Sequence, residues 1–265
     1  DGTLSNNDIS LFAEGAHFVS TDGLNIIGNE IYELRDTPLK GADLDNVLVD
    51  GNYFHNFTPW NLGGAGDHGD LIHFWTDTRY QDGPSENFTV TNNYFSEGVG
   101  ASLLGVYFDD DRNDLGYTNV VVENNVIQNG DSQGIRFENV DGGVVRNNTL
   151  VQSSGDENDA PGVVLTKGTS DILIEDNVHS GVYIDRDEVN GLDAAEAASI
   201  TEINNLEVQR HDPYAEGYYA DVFVNAMTFD AQLPDLQSLP DGPIEAMGVG
   251  ADVTVFNAAP DALTA

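Results

Sequence analysis

The stretch TNVVVENNVI (118–127) alternates branched apolar residues with polar ones and then breaks at a pair of asparagines. Six other segments overlay on it: GLNIIGNEI (23–31), DNVLVDGNYF (45–54), ENFTVTNNYF (86–95), GGVVRNNTL (142–150), SDILIEDNVH (170–179) and ASITEINNLE (198–207). Each places an asparagine just past an alternating run: Asn29, Asn52, Asn93, Asn125, Asn148, Asn177 and Asn205. Period-two alternation rich in Val, Ile and Phe, with Gly, Asn and Asp at the corners, describes strands joined by tight turns. Successive asparagines lie 23, 41, 32, 23, 29 and 28 residues apart. A constant strand with variable spacing is what a solenoid produces when insertions bulge out at its turns. The pattern predicts an all-β chain, a right-handed parallel β-helix of single-stranded coils with inserted loops on one flank. The asparagines predict a ladder in which each occupies a left-handed turn position and bonds to its equivalent roughly 4.8 Å along the axis.

A second strand follows each ladder segment: LIHFWT (71–76), GVYFDD (105–110), GIRFEN (134–139), GVVLTK (162–167) and GVYIDR (181–186). Ile72 and Phe74, Val106 and Phe108, Ile135 and Phe137, Val163 and Leu165, and Val182 and Ile184 take the inward positions. The residues between them form two outward columns, His73, Tyr107, Arg136, Val164, Tyr183 and Trp75, Asp109, Glu138, Thr166, Asp185. Insertions at 58–70, 77–86 and 109–117 predict the walls of a groove beside these columns. A helical signal appears at 193–199 (DAAEAAS), and the strand pattern weakens beyond residue 210. Residues 1–210 are therefore expected to form the coils, and 211–265 the last coil and a cap or exit segment of the same domain. The chain opens in a repeat-like stretch, DGTLSNNDISLF, which predicts further coils, domains or a leader beyond its termini.

Nine Lys plus Arg against 46 Asp plus Glu give a formal charge of −37. Such a surface repels nucleic acid and anionic membrane, and no apolar run has the length of a membrane helix, so neither partner is expected. The charge suits a saline medium, and carboxylate-rich loops suit calcium, with no organic cofactor expected. There is no cysteine, which excludes disulfides, thiol nucleophiles and thiolate metal sites. No serine elbow or phosphate loop supports acyl or phosphoryl transfer.

Chemistry concentrates on the outward columns. An imidazole (His73), a phenol (Tyr107), a guanidinium (Arg136) and a carboxylate (Asp109) on adjacent coils can act together on one sugar. His73 or Tyr107 would move a proton beside a uronate carboxylate, Arg136 would hold that carboxylate, and Asp109 would orient the imidazole. His68, Trp75, Glu138, Lys167, Tyr183, Asp185 and Arg186 are the expected substrate contacts. Asp67 and Asp70 in the glycine-rich loop, and Asp110 and Asp111 in DDDRND, are the candidate calcium ligands. The alternative without chemistry pairs these charges across strands and leaves the aromatics stacked, a face that binds glycans without converting them. A third reading takes two carboxylates among Asp109, Glu138 and Asp185 as a glycosidase pair.

With the asparagine ladder and the phrase DHGDLIHFWT (67–76), the chain resembles the pectate-lyase-like right-handed parallel β-helix superfamily over about residues 20–210. It looks most like secreted bacterial modules of the mannuronan C5-epimerase and alginate-lyase kind. His68, Gly69 and Asp70 stand where many such modules have His-Pro-Asp before an Ile-x-Phe-Trp strand, here Ile72 to Trp75. Tyr107, Phe108 and Asp109 echo the Tyr-Gly-Phe-Asp of the epimerase signature, whose following Pro-His pair is not present. The resemblance implies a secreted or cell-surface bacterial protein, from a marine or saline source, acting on an acidic polysaccharide by β-elimination or C5-epimerisation. A glycan-binding spike or adhesin module is its non-catalytic counterpart.

Overall fold

The computed structural model describes residues 1–60, 69–98, 101–110, 113–184, 191–229 and 231–256. Every ladder between named strands is parallel, and three strands make one full coil. The coil around Asn93 runs through Ser85–Thr91, then Tyr94–Ser96, then Leu104–Asp109. Stacking of equivalent strands gives three faces of a right-handed parallel β-helix. Two of the faces merge at the first coils. The twelve-residue strand Leu39–Asp50 pairs with Asp70–Trp75 through Lys40–Ala42 and with Ser85–Thr91 through Val47–Asp50. The third face stacks eight short strands from Asp8–Ser10 to Leu206–Glu207.

The interior follows from the alternation. Ile26, Val49, Val90, Val122, Val145 and Ile174 stack in one column, each fully buried. Phe74, Phe108 and Phe137 fill the side beneath the outward columns and meet Phe88 and Tyr117 edge-on or tilted. Burying such apolar surface, aromatic here and aliphatic on the later coils, is the main stabilising contribution of each coil. At Gly105 the coils approach so closely that an added Cβ would lie 1.8 Å from the Gly134 carbonyl oxygen. Gly105→Ala therefore has to push two backbones apart; urea unfolding should show a loss of about 2 kcal/mol, in the range of overpacking.

The ladder is one rung longer than the seven segments predict. Asn7 Nδ2 donates to Asn29 Oδ1 at 3.0 Å, ahead of Asn29, Asn52, Asn93, Asn125, Asn148, Asn177 and Asn205, which link at 2.9–3.0 Å. Each Oδ1 also accepts the backbone N–H of the preceding rung. One expectation is corrected here. The left-handed residue is not the ladder asparagine but its predecessor: Asn6, Gly28, Gly51, Asn92, Asn124, Asn147, Asp176 and Asn204 all have φ between 50° and 64°. The predecessor turns the chain at a residue type that tolerates positive φ, and this swings the next asparagine inward to satisfy buried carbonyls.

The helical signal is realised as Ala194–Ser199, with Asp193 and Glu196 forming a capping box. Beyond it and the last strand of the third face, residues 208–229 and 231–256 run back along the outside of that face. Tyr219, Val222, Phe223 and Leu236 bury themselves against Tyr94, Val126, Val151 and Val178 in a second apolar core. Tyr94 donates to the Ala231 carbonyl, the Ala251 N–H to Thr149, and the Asp252 N–H to Asn124. Arg210 fixes the start of this segment by donating to the carbonyls of Gln152, Ser154 and Met227.

Candidate functional site

The outward column on the first face is in register over seven positions: His17, Lys40, His73, Tyr107, Arg136, Val164 and Tyr183 pair in sequence. Tyr107 lies flat on His73, centroids 5.3 Å apart at 8°, and the Arg136 guanidinium sits 4.9 Å from the Tyr107 centroid. Trp75 and Asp109 pair in the neighbouring column, and Trp75 also meets His17 and His73.

His73 is held at both ring nitrogens. Nδ1 is 3.1 Å from Asp70 Oδ2 and Nε2 is 3.1 Å from Asp109 Oδ2. Burial alone would push the imidazole down, but the hydrogen bonds to Asp109 and Asp70 and the charges of both carboxylates raise it to about 9. At neutral pH the ring is thus an imidazolium with both protons committed, an acid and a fixed positive charge. The free-base role expected of it is not available there. Tyr107 donates to Glu138 Oε2 at 2.9 Å, and burial, with Asp109 and Glu138 adding to it, holds its phenol well above the usual range. Arg136 donates through Nη1 to Gln133 Oε1 at 2.6 Å and stands 3.9 Å from Glu138, while its buried Nε has no hydrogen-bond partner among the described residues.

Two openings flank this cluster. One, of about 280 Å³, is lined by Lys40, His73, Trp75, Thr76, Asp109 and Asn113. The other, of about 540 Å³, lies beside Gln133, Arg136, Val164, Thr166 and Tyr183. His73, Asp109, Trp75 and Tyr107 are therefore brought together, and Arg136 bridges toward Tyr183. Glu138 belongs with them but is only 2% exposed, folded beneath the Tyr107 hydroxyl rather than facing the groove. A glycosidase pair of Asp109 and Glu138 accordingly lacks its second exposed carboxylate. Lys167 sits apart, 3.7 Å from Asp114.

Of the four candidate calcium ligands, Asp110 and Asp70 lie among the described residues. Asp110 is buried and accepts from Thr76, Asn139 and the N–H groups of Leu115 and Gly116, which organises its turn. Asp70 is committed to His73. Among the described residues no three His, Asp or Glu side chains gather in a metal-holding arrangement. Asp67, His68, Asp111, Asp185 and Arg186 lie outside the described residues.

Lys40 and His17 were missed from the sequence. Lys40 lies in the long strand Leu39–Asp50, where no turn or glycine-led segment separates the first two faces, so the pattern that found the other coils is not present. Its Nζ pairs with Glu14 at 2.6 Å. His55 and His179 lie on strands of the third face; His55 pairs with Glu30 between Tyr32 and Tyr53, and His179 is buried. Glu97 is a further buried carboxyl, hydrogen-bonded to Ser153 and the Leu103 N–H; burial raises it to about 7 against the pull of those bonds.

Comparison with known proteins adds a family and no individual relative. The profile of the right-handed β-helix region matches residues 1–179. No curated protein and no solved structure gives a match. The matched span carries the parallel coils, most of the ladder and the whole His73–Tyr107–Arg136 cluster, and the chain belongs to the right-handed β-helix family.

Proposed function

We propose that the first face binds an acidic, uronate-containing polysaccharide and moves the proton beside a uronate carboxylate, by β-elimination or C5-epimerisation. The observation that carries this reading is the in-register column Lys40, His73, Tyr107, Arg136. It sets His73 and Arg136 on either side of one phenol, with Lys40 one coil beyond His73, on a protein of formal charge −37. A uronate carboxylate drawn to Arg136 has its charge neutralised, which acidifies the neighbouring C–H. The Tyr107 oxygen then takes that proton while its own passes to Glu138, 2.9 Å away, so no free phenolate forms. The electron pair left on carbon is held by the carboxylate and its cations. His73, an imidazolium kept charged by Asp70 and Asp109, gives up the Nε2 proton it shares with Asp109 to the leaving oxygen or back to carbon. Secretion and a saline setting agree with the acidic surface and are part of the same proposal.

Incubation with alginate, pectate and glycosaminoglycans tests this, reading ultraviolet absorbance for new double bonds and deuterium uptake at C5 for epimerisation. Tyr107→Phe should lower kcat by about 10²-fold or more with little change in KM, as expected on removal of a general base. Arg136→Gln should raise KM and also lower kcat, because Arg136 both holds the uronate carboxylate and supports the charge that develops on it. Unchanged kcat in Tyr107→Phe would remove the relay.

One observation favours the non-catalytic reading: Lys40 and His73 already have carboxylate partners at 2.6 and 3.1 Å. Glycan binding that depends on Trp75 and Tyr183, with neither product signal, assigns the face to capture alone.

A further inference from the structure

A separate cleft of about 370 Å³ opens at the ladder corner, away from the His73 face. Its origin is legible in the turn residues. The left-handed position before each ladder asparagine carries Asn or Asp on most coils, namely Asn6, Asn92, Asn124, Asn147, Asp176 and Asn204, but glycine at Gly28 and Gly51. Where side chains are present they bond along the corner: Asn124 to Asn92 at 2.7 Å, Asn92 to Asp50 at 2.8 Å, and Asn204 to Asp176 at 2.6 Å. At the two glycines the row of side chains is interrupted, and the cleft lies there. Sterics do not demand glycine at one of them, since a Cβ on Gly51 would meet nothing within 4 Å. Positive φ does not demand it either, because asparagine holds the same conformation on neighbouring coils.

The walls differ in chemistry. The returning C-terminal segment supplies Leu233, Val255 and Phe256, with Tyr94 behind them. The opposite side offers Asn6, Asn92, Asp8 and Glu30, and among the described residues no Lys or Arg lines the cleft. One apolar wall facing amide and carboxylate acceptors suits a ring with a C–H face and a hydroxyl edge. The carboxylates repel an anion, so the uronate proposed for the first face does not fit here.

We propose that this cleft is a second carbohydrate site, taking a single neutral pyranose unit. The hydroxyl edge would meet Asn6, Asn92, Asp8 and Glu30, and the C–H face would lie against Val255 and Phe256. It holds a different sugar class from the first face and does not depend on catalysis there. Such a site lets the protein grip a mixed glycan by its neutral units while the acidic ones reach the first face.

Neutral methyl hexopyranosides, with glucosamine and galacturonate as charged probes, test the site by saturation-transfer NMR and calorimetry on the whole chain. A neutral pyranoside should bind with a dissociation constant on the order of 1 mM, as a ligand of so few atoms allows. Gly51→Asn fills the cleft with a residue the same turn accepts elsewhere, and should weaken that binding about tenfold or more. Its melting temperature and its affinity for uronate oligomers should be unchanged. Phe256→Ala should weaken neutral-sugar binding as well. No neutral pyranoside binding, undiminished binding in Gly51→Asn, or preference for glucosamine alone would each overturn the proposal. So would neutral binding lost in Lys40→Ala but kept in Gly51→Asn. Failure of the uronate reading, by contrast, leaves these results untouched.

Discussion

Asn93→Ala is expected to lose about 4 kcal/mol of stability, a large part of the 5–15 kcal/mol that holds a typical domain. Asn93 is fully buried, and its Oδ1 accepts both the backbone N–H and the side-chain N–H of Asn52 at 2.9 Å. Its Nδ2 donates to the carbonyls of Val49 and Thr91 and to Asn125 Oδ1. The alanine leaves the Asn52 backbone N–H buried without an acceptor, removes the contacts that the two Nδ2 protons share among three acceptors, and opens a small void. Asn93→Asp separates these contributions. It keeps the acceptor, loses the donors and sets a charge against two carbonyls, so it should cost about as much despite its shape. Asn92→Gly is the control. It keeps the left-handed turn and loses half-exposed bonds only, so urea unfolding should register less than about 1 kcal/mol. Equal losses in Asn92→Gly and Asn93→Ala would sink the assignment of the ladder as the stabilising seam.

His73→Leu is expected to cost about 3 kcal/mol at pH 7 and to abolish the proposed activity, because a partly buried cation between two carboxylates is lost. Asp70, 6% exposed, then loses its hydrogen-bond partner. The pH dependence identifies the cause. The imidazole titrates near 9 in the folded protein against an ordinary 6.5, so its stabilisation is complete below about pH 6.5 and is lost as pH rises through 9. The difference between those two values corresponds to at most roughly 3 kcal/mol. Glu97, raised to about 7, also makes stability fall with rising pH, but its window runs from its ordinary 4.5 up to 7. Urea midpoints between pH 7.5 and pH 9 therefore report mainly on His73, below the range in which raised tyrosines such as Tyr107 and Tyr219 add their own loss. The wild type should weaken across that range, and His73→Leu should be nearly flat. Catalysis that uses the imidazolium should disappear over the same interval, and activity rising above pH 9 would reverse His73 from acid to base.

The fold was legible because its energetics repeat. Each coil must bury the same apolar column and satisfy the same corner carbonyls, so Val120, Val122 and Asn125 have counterparts on other coils at fixed phase. That phase also placed His73, Tyr107 and Arg136 in one column. What stayed hidden depends on how side chains settle after the coils have stacked. The charge of His73 is set by Asp70 three residues earlier and by Asp109 one coil away, and neither spacing is a recognisable motif. Glu138 occupies an outward position yet tucks under the Tyr107 hydroxyl, which alternation cannot distinguish from facing solvent. Lys40 was hidden because two faces share one strand. The path of the C-terminal segment was hidden because its irregular turns carry no periodic signal.

That segment changes how the coils come apart. In a solenoid each repeat normally contacts only its neighbours, so the open end can fray one unit at a time. Here a single returning strap is fastened at Gln152, Thr149, Asn124 and Tyr94, on three successive coils. Its apolar contacts extend to Val178. Peeling the last coil alone leaves the strap's other fastenings in place, while detaching the strap uncovers Tyr94, Val126, Val151 and Val178 together. The fastened coils should therefore exchange their amide hydrogens as one block, whereas the coils before Tyr53 keep the graded exchange of an ordinary stack.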